Sequence, residues 1–287
     1  MNANDIHTAA VLGAGTMGHG IAQVLAMTGI ETRLFDVDAA AVDRGVEAIG
    51  NNLQKAVELG KLTADQCDDA LANLSGGNVM SSAIDGVQLV VEAVPERLEL
   101  KQQIFEELGQ RLRSNVLLAT NTSSLPITKI AEVTQAPDRV VGMHFFNPVH
   151  RMKLVEVVKT PLSSDEAVAC AMDLARRMGK EPILVKDSPG FASSRLGLVI
   201  GLEAMRMVES GVASAEDIDK AMTLGYGFPM GPLKLTDLVG LDVRLSIAEY
   251  LKDELGPGFE PPAILREKVA RGELGKKSGK GFYDYSE

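Results

Sequence analysis

Apolar residues fall along this chain in two rhythms. Short, mainly apolar runs at Thr8–Leu12, Thr32–Phe35, Val87–Val94, Val116–Thr120, Val140–Met143, Leu154–Val158 and Pro182–Val185 have the length of buried strands. Between most of them the period lengthens to three and four residues, the mark of an amphipathic helix. Met17, Ile21, Val24, Leu25 and Thr28 line one helix, and Val42, Val46, Ile49, Leu53 and Val57 line the next. Leu98, Phe105, Leu108 and Leu112 share a face on a third, and Pro126 starts a short fourth. Thr63 with Gln66 has the form of a capping box opening a helix over Ala64–Leu74, as Ser163 with Glu166 does for Asp165–Met178. Strands alternating with helices predict an α/β fold with a doubly wound, mainly parallel sheet. The pair of helices after Phe35 is longer than a minimal crossover and is expected to form a helical hairpin arm on that Rossmann-like core.

After Val185 the strand pattern stops. Lys186-Asp187-Ser188-Pro189-Gly190 has the composition of a linker. Phe191–Val208 is apolar nearly all round, which suits a helix buried in a helical core or a dimer interface. Ser214-x-x-Asp217, Pro232, Leu241–Leu255 and Pro262–Ala270 continue a purely helical pattern. The boundary is expected near residue 187, with an α/β domain over 1–187 and an all-helical domain over 188–287. No internal repeat is seen.

The first strand runs directly into Gly13-Ala14-Gly15-Thr16-Met17-Gly18, and a helix begins inside that loop. A GxGxxG by itself is weak; between a strand and a helix, with Asp36 18 residues after its last glycine at the next strand end, it marks a dinucleotide fold. Gly13 suits the tight turn, Gly15 the approach of a pyrophosphate, and Gly18 the close packing of helix on strand. Thr16 and Met17 begin the helix whose free N–H groups would face the phosphates. Asp36 would accept from the adenosine ribose hydroxyls and repel a 2′-phosphate, favouring NAD over NADP. It would also serve as an ordinary turn or cap residue.

The 287 residues carry 45% hydrophobic and 24% charged side chains, as soluble globular proteins do. A net charge of −10 excludes a global basic field, so nucleic acid is not an expected partner. Cys67 and Cys170 match no metal or redox spacing and read as reduced thiols, and no metal is expected. The N-terminus lacks the pattern of a signal peptide, and no apolar run approaches the ~20 residues that span a bilayer. A cytoplasmic protein without membrane partners is expected.

Candidate chemistry concentrates in Val140–Val158. His144 follows a buried strand and precedes two aromatics and the strand-breaking Asn147-Pro148, and Glu156 sits inside the next β-branched run. Both placements are costly unless the two groups meet. An imidazole oriented by a carboxylate is the acid/base that alcohol oxidation requires. A satisfied core histidine beside an edge-strand glutamate would fit the same residues. The glycine loop, Asp36, Glu92–Glu96, Asn121–Ser123 and His144 all fall at predicted strand C-termini, where such sheets bind ligands.

Taken together, GAGTMG, VVEAVPE, NTSSL, HFFNP followed by LVEVV, KDSPGF, GFPMGP and GKKSGKGFYDY resemble the 3-hydroxyacyl-CoA dehydrogenases, and bacterial stand-alone 3-hydroxybutyryl-CoA dehydrogenases most of all. The resemblance spans essentially the whole chain. It implies NAD-dependent, reversible oxidation of (S)-3-hydroxyacyl-CoA to 3-oxoacyl-CoA, short-chain substrates, and a homodimer formed by a helical substrate-binding and dimerisation domain. By position it makes His144 the general base, Glu156 its polarising partner, and Ser123 a group on the reacting oxygen or the substrate. It places Glu96, Lys101, Asn147 and Lys277 around the cofactor. Where the family carries asparagine to position substrate, this chain has Ser194, with a shorter reach. The arm offers Asn52, Lys55 and Lys61 for coenzyme A, and which lysine serves is left open. A dehydrogenase of a free 3-hydroxy or sugar acid, or a non-catalytic NAD-binding module, are the alternatives.

Overall fold

In the computed structural model, which describes residues 1–285, eight strands form one sheet. They are β1 (Thr8–Leu12), β2 (Glu31–Phe35), β3 (Leu74–Gly77), β4 (Leu89–Glu92), β5 (Leu117–Thr120), β6 (Val140–Phe145), β7 (Leu154–Lys159) and β8 (Glu181–Lys186). Their order is β3-β2-β1-β4-β5-β6-β7-β8, and every neighbouring pair is parallel except β6 with β7. The chain runs outward from β1 to β3 and then returns to place β4 on the other side of β1. That reversal opens a crevice at the carboxyl ends of β1 and β4.

The connections are α1 (Thr16–Met27), α2 (Ala39–Glu58), α3 (Ala64–Ala72), α4 (Met80–Ala83), α5 (Leu98–Arg111), α6 (Ile127–Ala131) and α7 (Asp165–Arg177). Strand side chains alternate between the two faces of the sheet. On one face Val11, Leu34, Val91, Val141 and Met143 join Ile21 and Leu25 of α1, Ile49 and Leu53 of α2, and Leu174 of α7 in a single core. Each such side chain contributes roughly 1.5–3 kcal/mol on burial. The α2–α3 hairpin is seated on this core through Val42, Ile49, Leu53, Cys67 and Ala70. On the other face β6 passes so close to α6 that a side chain at Gly142 would overlap Ile127.

Two elements differ from the sequence expectation. The helix expected through Leu74 ends at Ala72, with Asn73 as its C-cap, and Leu74–Gly77 becomes the edge strand β3. That tetrapeptide has no alternation of its own; the open edge of β2 organises it, pairing Thr32 with Leu74 through Phe35 with Gly77. The helix after β7 is capped one residue later than expected. Ser164 accepts from the Ala167 amide, whereas the Ser163 hydroxyl donates to the Val140 carbonyl at 2.6 Å. Ser163 thereby ties the β7–α7 turn to the start of β6, an acceptor that the fold and not the local sequence brings within reach.

The chain divides into two compact units, Met1–Ser188 and a second beginning at Pro189. The helical domain expected to run to 287 has its last two residues outside those described. The second unit contains α8 (Ser193–Glu209), α9 (Ala215–Lys220), α10 (Pro232–Val239), α11 (Leu241–Leu255) and α12 (Ala263–Ala270). Leu198, Leu202, Met205, Ile218, Leu233, Leu241, Ala248, Leu251 and Leu265 form its core. Only one face of α8 is buried, while Leu196 is 63% exposed. Two buried acids hold the unit's turns. Asp219 accepts from the Leu233 and Lys234 amides at the start of α10, and Asp237 from the Phe282 and Tyr283 amides of the C-terminal segment. No helix among the described residues is long and apolar enough to cross a membrane.

Candidate active site

His144 and Glu156 are directly opposite residues of the antiparallel β6–β7 pair. Opposite positions project their side chains from the same face at contact distance, so the register alone brings the two groups together. The His144 Nδ1 lies 2.7 Å from Glu156 Oε2. Glu156 is fully buried and His144 is 7% exposed. A carboxylate in that position accepts the Nδ1 proton, which makes Nε2 the basic nitrogen of the ring. The Phe146 ring stands against the imidazole, centroids 4.5 Å apart and tilted by 49°. The strand end that carries His144 is fastened to its neighbour by Asn121, whose Oδ1 accepts from the Phe145 amide at 2.9 Å.

The glycine loop lies on the same rim, at the end of β1. Gly13 has φ +102°, and its amide donates to the Phe35 carbonyl at 2.7 Å. A Cβ on Gly18 would overlap the Gly13 carbonyl oxygen, whereas a Cβ on Gly15 would meet nothing within 4 Å. Gly18 is therefore required by packing, and Gly15 by open space above the loop. No side chain caps the start of α1 at Gly15, so the first-turn amides, those of Thr16 and Met17 among them, are available to an anion. Asp36 does the work of a turn residue: its Oδ2 accepts from the Ala14 amide at 2.9 Å and its Oδ1 from the Asp38 amide at 3.1 Å. Each carboxylate oxygen keeps a second lone pair for a ligand. A strand-end acid, an open Gly15 and an uncapped helix fit the ribose and pyrophosphate of a dinucleotide.

Between loop and dyad runs a buried polar network. Lys101 is 1% exposed, and its ammonium donates to Glu92 Oε1 at 2.6 Å and lies 3.3 Å from Glu96 Oε2. Glu92 also accepts from the Val94 amide at 2.7 Å and the Thr120 hydroxyl at 2.6 Å. Glu96 in turn accepts from the Thr122 hydroxyl at 2.5 Å and the Ser123 amide at 3.0 Å. Lys101 thus holds the carboxylate that ends β4 and another in the loop after it, and Glu96 orders the turn that presents Ser123. The sequence offered Lys101 as a cofactor contact but contained no sign that Glu92 would bind it. Asn121–Ser123 were expected on the ligand-binding rim, but the partners of Thr120, Asn121 and Thr122 appear only once β4, β5 and β6 are adjacent. Lys101→Met should leave Glu92 buried and unpaired, at a cost of about 3–5 kcal/mol, read as a fall in denaturant midpoint.

Residues 8–188 match the NAD binding domain of 3-hydroxyacyl-CoA dehydrogenase, and residues 190–285 match its C-terminal domain. The chain belongs to the 3-hydroxyacyl-CoA dehydrogenase family. It is similar to a probable 3-hydroxybutyryl-CoA dehydrogenase of Bacillus subtilis (strain 168), 44% identical over 278 residues and 96% of each chain. The 3-hydroxyadipyl-CoA dehydrogenase of Escherichia coli (strain K12) is 42% identical, matching 98% of this chain and 59% of that one. Among solved structures, the (S)-3-hydroxybutyryl-CoA dehydrogenase of Ralstonia eutropha superposes with a TM-score of 0.95 at 41% identity, over 99% of this chain and 100% of that one. This 3-hydroxyacyl-CoA dehydrogenase is an NAD-dependent oxidoreductase.

In this dehydrogenase the hairpin residues Asn52, Lys55 and Lys61 line one hollow of about 500 Å³ together with Gln23, His150 and Arg151. His150 and Arg151 come from the loop after β6, and nothing in their local sequence pointed to the hairpin. Burial first, then the charges of Arg151, Lys180, His19 and Lys61, hold the His150 imidazole below its ordinary value. The hollow is therefore basic in a protein whose net charge is −10. Asn147 is exposed at the end of β6. In the helical unit Ser194 sits half-buried in the first turn of α8. Lys277 there pairs with Asp242 at 2.6 Å.

Proposed function

We propose that this dehydrogenase interconverts (S)-3-hydroxyacyl-CoA and 3-oxoacyl-CoA with short acyl chains, 3-hydroxybutyryl-CoA and acetoacetyl-CoA being the natural pair to try. The observation that carries the reading is the 2.7 Å contact of His144 with the fully buried Glu156, on the rim that also bears the glycine loop. His144 Nε2 takes the C3 hydroxyl proton, and Glu156 stabilises the imidazolium through Nδ1. NAD supplies the hydride acceptor for C3, and NADH the donor in reverse. In the reverse direction the protonated imidazole returns its proton to the carbonyl oxygen. Ser123 donates to the reacting oxygen, and Ser194 helps to seat the substrate.

The remaining roles follow from chemistry of each group. Asp36 receives the adenosine ribose, and its charge disfavours a 2′-phosphate. Gly13, Gly15, Thr16, Met17 and Gly18 embrace the pyrophosphate, while Glu96, Asn147 and Lys277 complete the cofactor's surroundings. Lys101 acts at one remove, by positioning Glu96. Asn52, Lys55 and Lys61, with His150 and Arg151, supply the donors that the phosphates of coenzyme A need. Residues 1–187 serve as the cofactor domain and the helical unit as the substrate and dimerisation domain. A homodimer through the helical unit is supported by its exposed apolar side chains, Leu224 at 84% and Tyr226 at 79% among them. We place the enzyme in the cytoplasm.

The test is NADH oxidation with acetoacetyl-CoA, free acetoacetate and each nicotinamide cofactor. Rapid turnover of acetoacetyl-CoA with NADH, and marginal turnover of the free acid, is the expected result. Equal rates on the two 3-oxo compounds would instead indicate a dehydrogenase of free acids, and tight NADH binding without turnover on either a non-catalytic module.

A further inference from the structure

The loop after β6 brings His150 and Arg151 to the hairpin hollow, and it is held more firmly than an ordinary surface turn. Lys180, just before β8, is 8% exposed, and its ammonium donates to the Val149 and Met152 carbonyls, the second at 2.9 Å. It thus fastens the turn on both sides of the two basic residues. The Arg151 and Met152 amides donate to the Pro148 carbonyl at 2.9 and 3.0 Å. Val149 is buried, so close to α1 that a side chain at Gly20 would overlap it. On the facing wall Asn52 Nδ2 donates to Gln23 Oε1 at 3.3 Å, tying α2 to the same helix. Both walls are therefore anchored on α1 before a ligand arrives, which lowers the ordering cost of binding.

The charge of the hollow is one-sided. Lys55, Lys61, His150 and Arg151 line it, and among the described residues no carboxylate does. The charges that act on the half-buried His150 are all cationic: Arg151 in the turn, Lys180 before β8, His19 on α1, and Lys61 between α2 and α3. With burial they hold the imidazole below its ordinary 6.5, so it is mostly neutral at neutral pH. An anion seated there would reverse the local potential and favour the imidazolium, whose two ring N–H groups both donate. A phosphate monoester suits such a place best. Its second pKa lies near about 6, so it brings close to two negative charges at neutral pH. Coenzyme A carries one monoester, at the ribose 3′ position, and a pyrophosphate link with a single charge per phosphorus.

We propose that the hollow is a proton-linked seat for the 3′-phosphate of coenzyme A, in which His150 takes a proton from solvent to bind the dianion and Arg151 engages it alongside. The inference rests on the proposed use of this hollow for coenzyme A. The sign of the linkage is fixed. The proton is held more tightly in the complex than in the free enzyme, so affinity falls as pH rises above about 6, where the phosphate is already a dianion.

Calorimetry of coenzyme A and of 3′-dephospho-coenzyme A, at a pH of about 7.5, well above the phosphate's own second pKa, counts the protons when run in buffers of different ionisation enthalpy. Net proton uptake is expected with coenzyme A and not with the dephospho compound, and His150→Gln should abolish it. With NADH, KM for acetoacetyl-CoA should lie about tenfold below that of its 3′-dephospho analogue, and His150→Gln and Arg151→Met should each narrow that ratio. The comparison of the two ligands on the native enzyme decides the matter even if a variant fails to fold. Equal uptake with both ligands would put the imidazole on the pyrophosphate and overturn the assignment, as would uptake that persists in His150→Gln. Normal turnover of acetoacetyl-CoA with a KM indifferent to the 3′-phosphate overturns this inference alone. Proton-linked binding of coenzyme A without turnover of any thioester would uphold it and overturn the catalytic reading.

Discussion

His144→Gln should lower kcat for acetoacetyl-CoA reduction by at least about 100-fold, and by as much as 10,000-fold, the range a positioned acid/base contributes. Glutamine is the informative replacement because Glu156 is fully buried. Alanine would take the His144 donor away from that buried carboxylate, a loss that would confuse folding with catalysis. An amide N–H can still donate to it. NADH binding, followed by fluorescence, and the thermal midpoint should therefore remain close to native while turnover collapses. Normal turnover in His144→Gln would remove the imidazole from the mechanism. Glu156→Gln supplies the complement. It keeps a group of the same shape beside Nδ1 but removes the charge that stabilises the imidazolium, so kcat should fall with the fold retained. A variant that unfolds yet keeps full activity per folded molecule would mark the pair as structural.

The glycine loop yields the second large effect, and it separates two kinds of glycine. Gly18→Ala should lose both the fold of the N-terminal unit and NAD binding, because the new Cβ would overlap the Gly13 carbonyl oxygen. Backbone cannot yield as a side chain does, so the cost should reach or exceed the roughly 1–3 kcal/mol typical of overpacking. Gly15→Ala should behave in the opposite way. The residue has φ −67° and ψ −171°, which alanine adopts freely, and its Cβ would meet nothing within 4 Å. The thermal midpoint should stay near native while affinity for NAD falls steeply, since the methyl group occupies space the pyrophosphate needs. Calorimetry of NAD binding beside thermal unfolding checks both variants at once. If Gly15→Ala binds NAD as tightly as the native protein, the pyrophosphate does not approach the loop there.

The strands and helices of the N-terminal unit were legible because their periods are local. Thr8–Leu12 or Val42–Val57 declares its state by the spacing of its own apolar residues. β3 was not legible, because Leu-Ser-Gly-Gly becomes a strand only beside the free edge of β2. The cap of α7 was misplaced by one residue for a related reason, since a serine's hydroxyl chooses among acceptors brought near by the fold, and Ser163 took the Val140 carbonyl.

The sequence by itself determined the alternation of strands and helices, the strand–glycine loop–helix with Asp36 beyond it, the change to a purely helical pattern after Val185, and the set of residues from which a site could be made. Only the tertiary structure decided which of those residues meet. The β6–β7 register set His144 opposite Glu156 across 2.7 Å. The packing of α5 against the end of β4 committed Lys101 to Glu92 and Glu96, and the adjacency of β4 and β5 gave Thr120 and Thr122 their parts. The seating of the loop after β6 on α1 brought His150 and Arg151 to the hollow that Lys55 and Lys61 line, with no acid among them. The physical reason is one of range. Helix and strand periods arise between residues two to four apart, whereas a charge finds its partner, or fails to, among residues that are neighbours only after the core has closed.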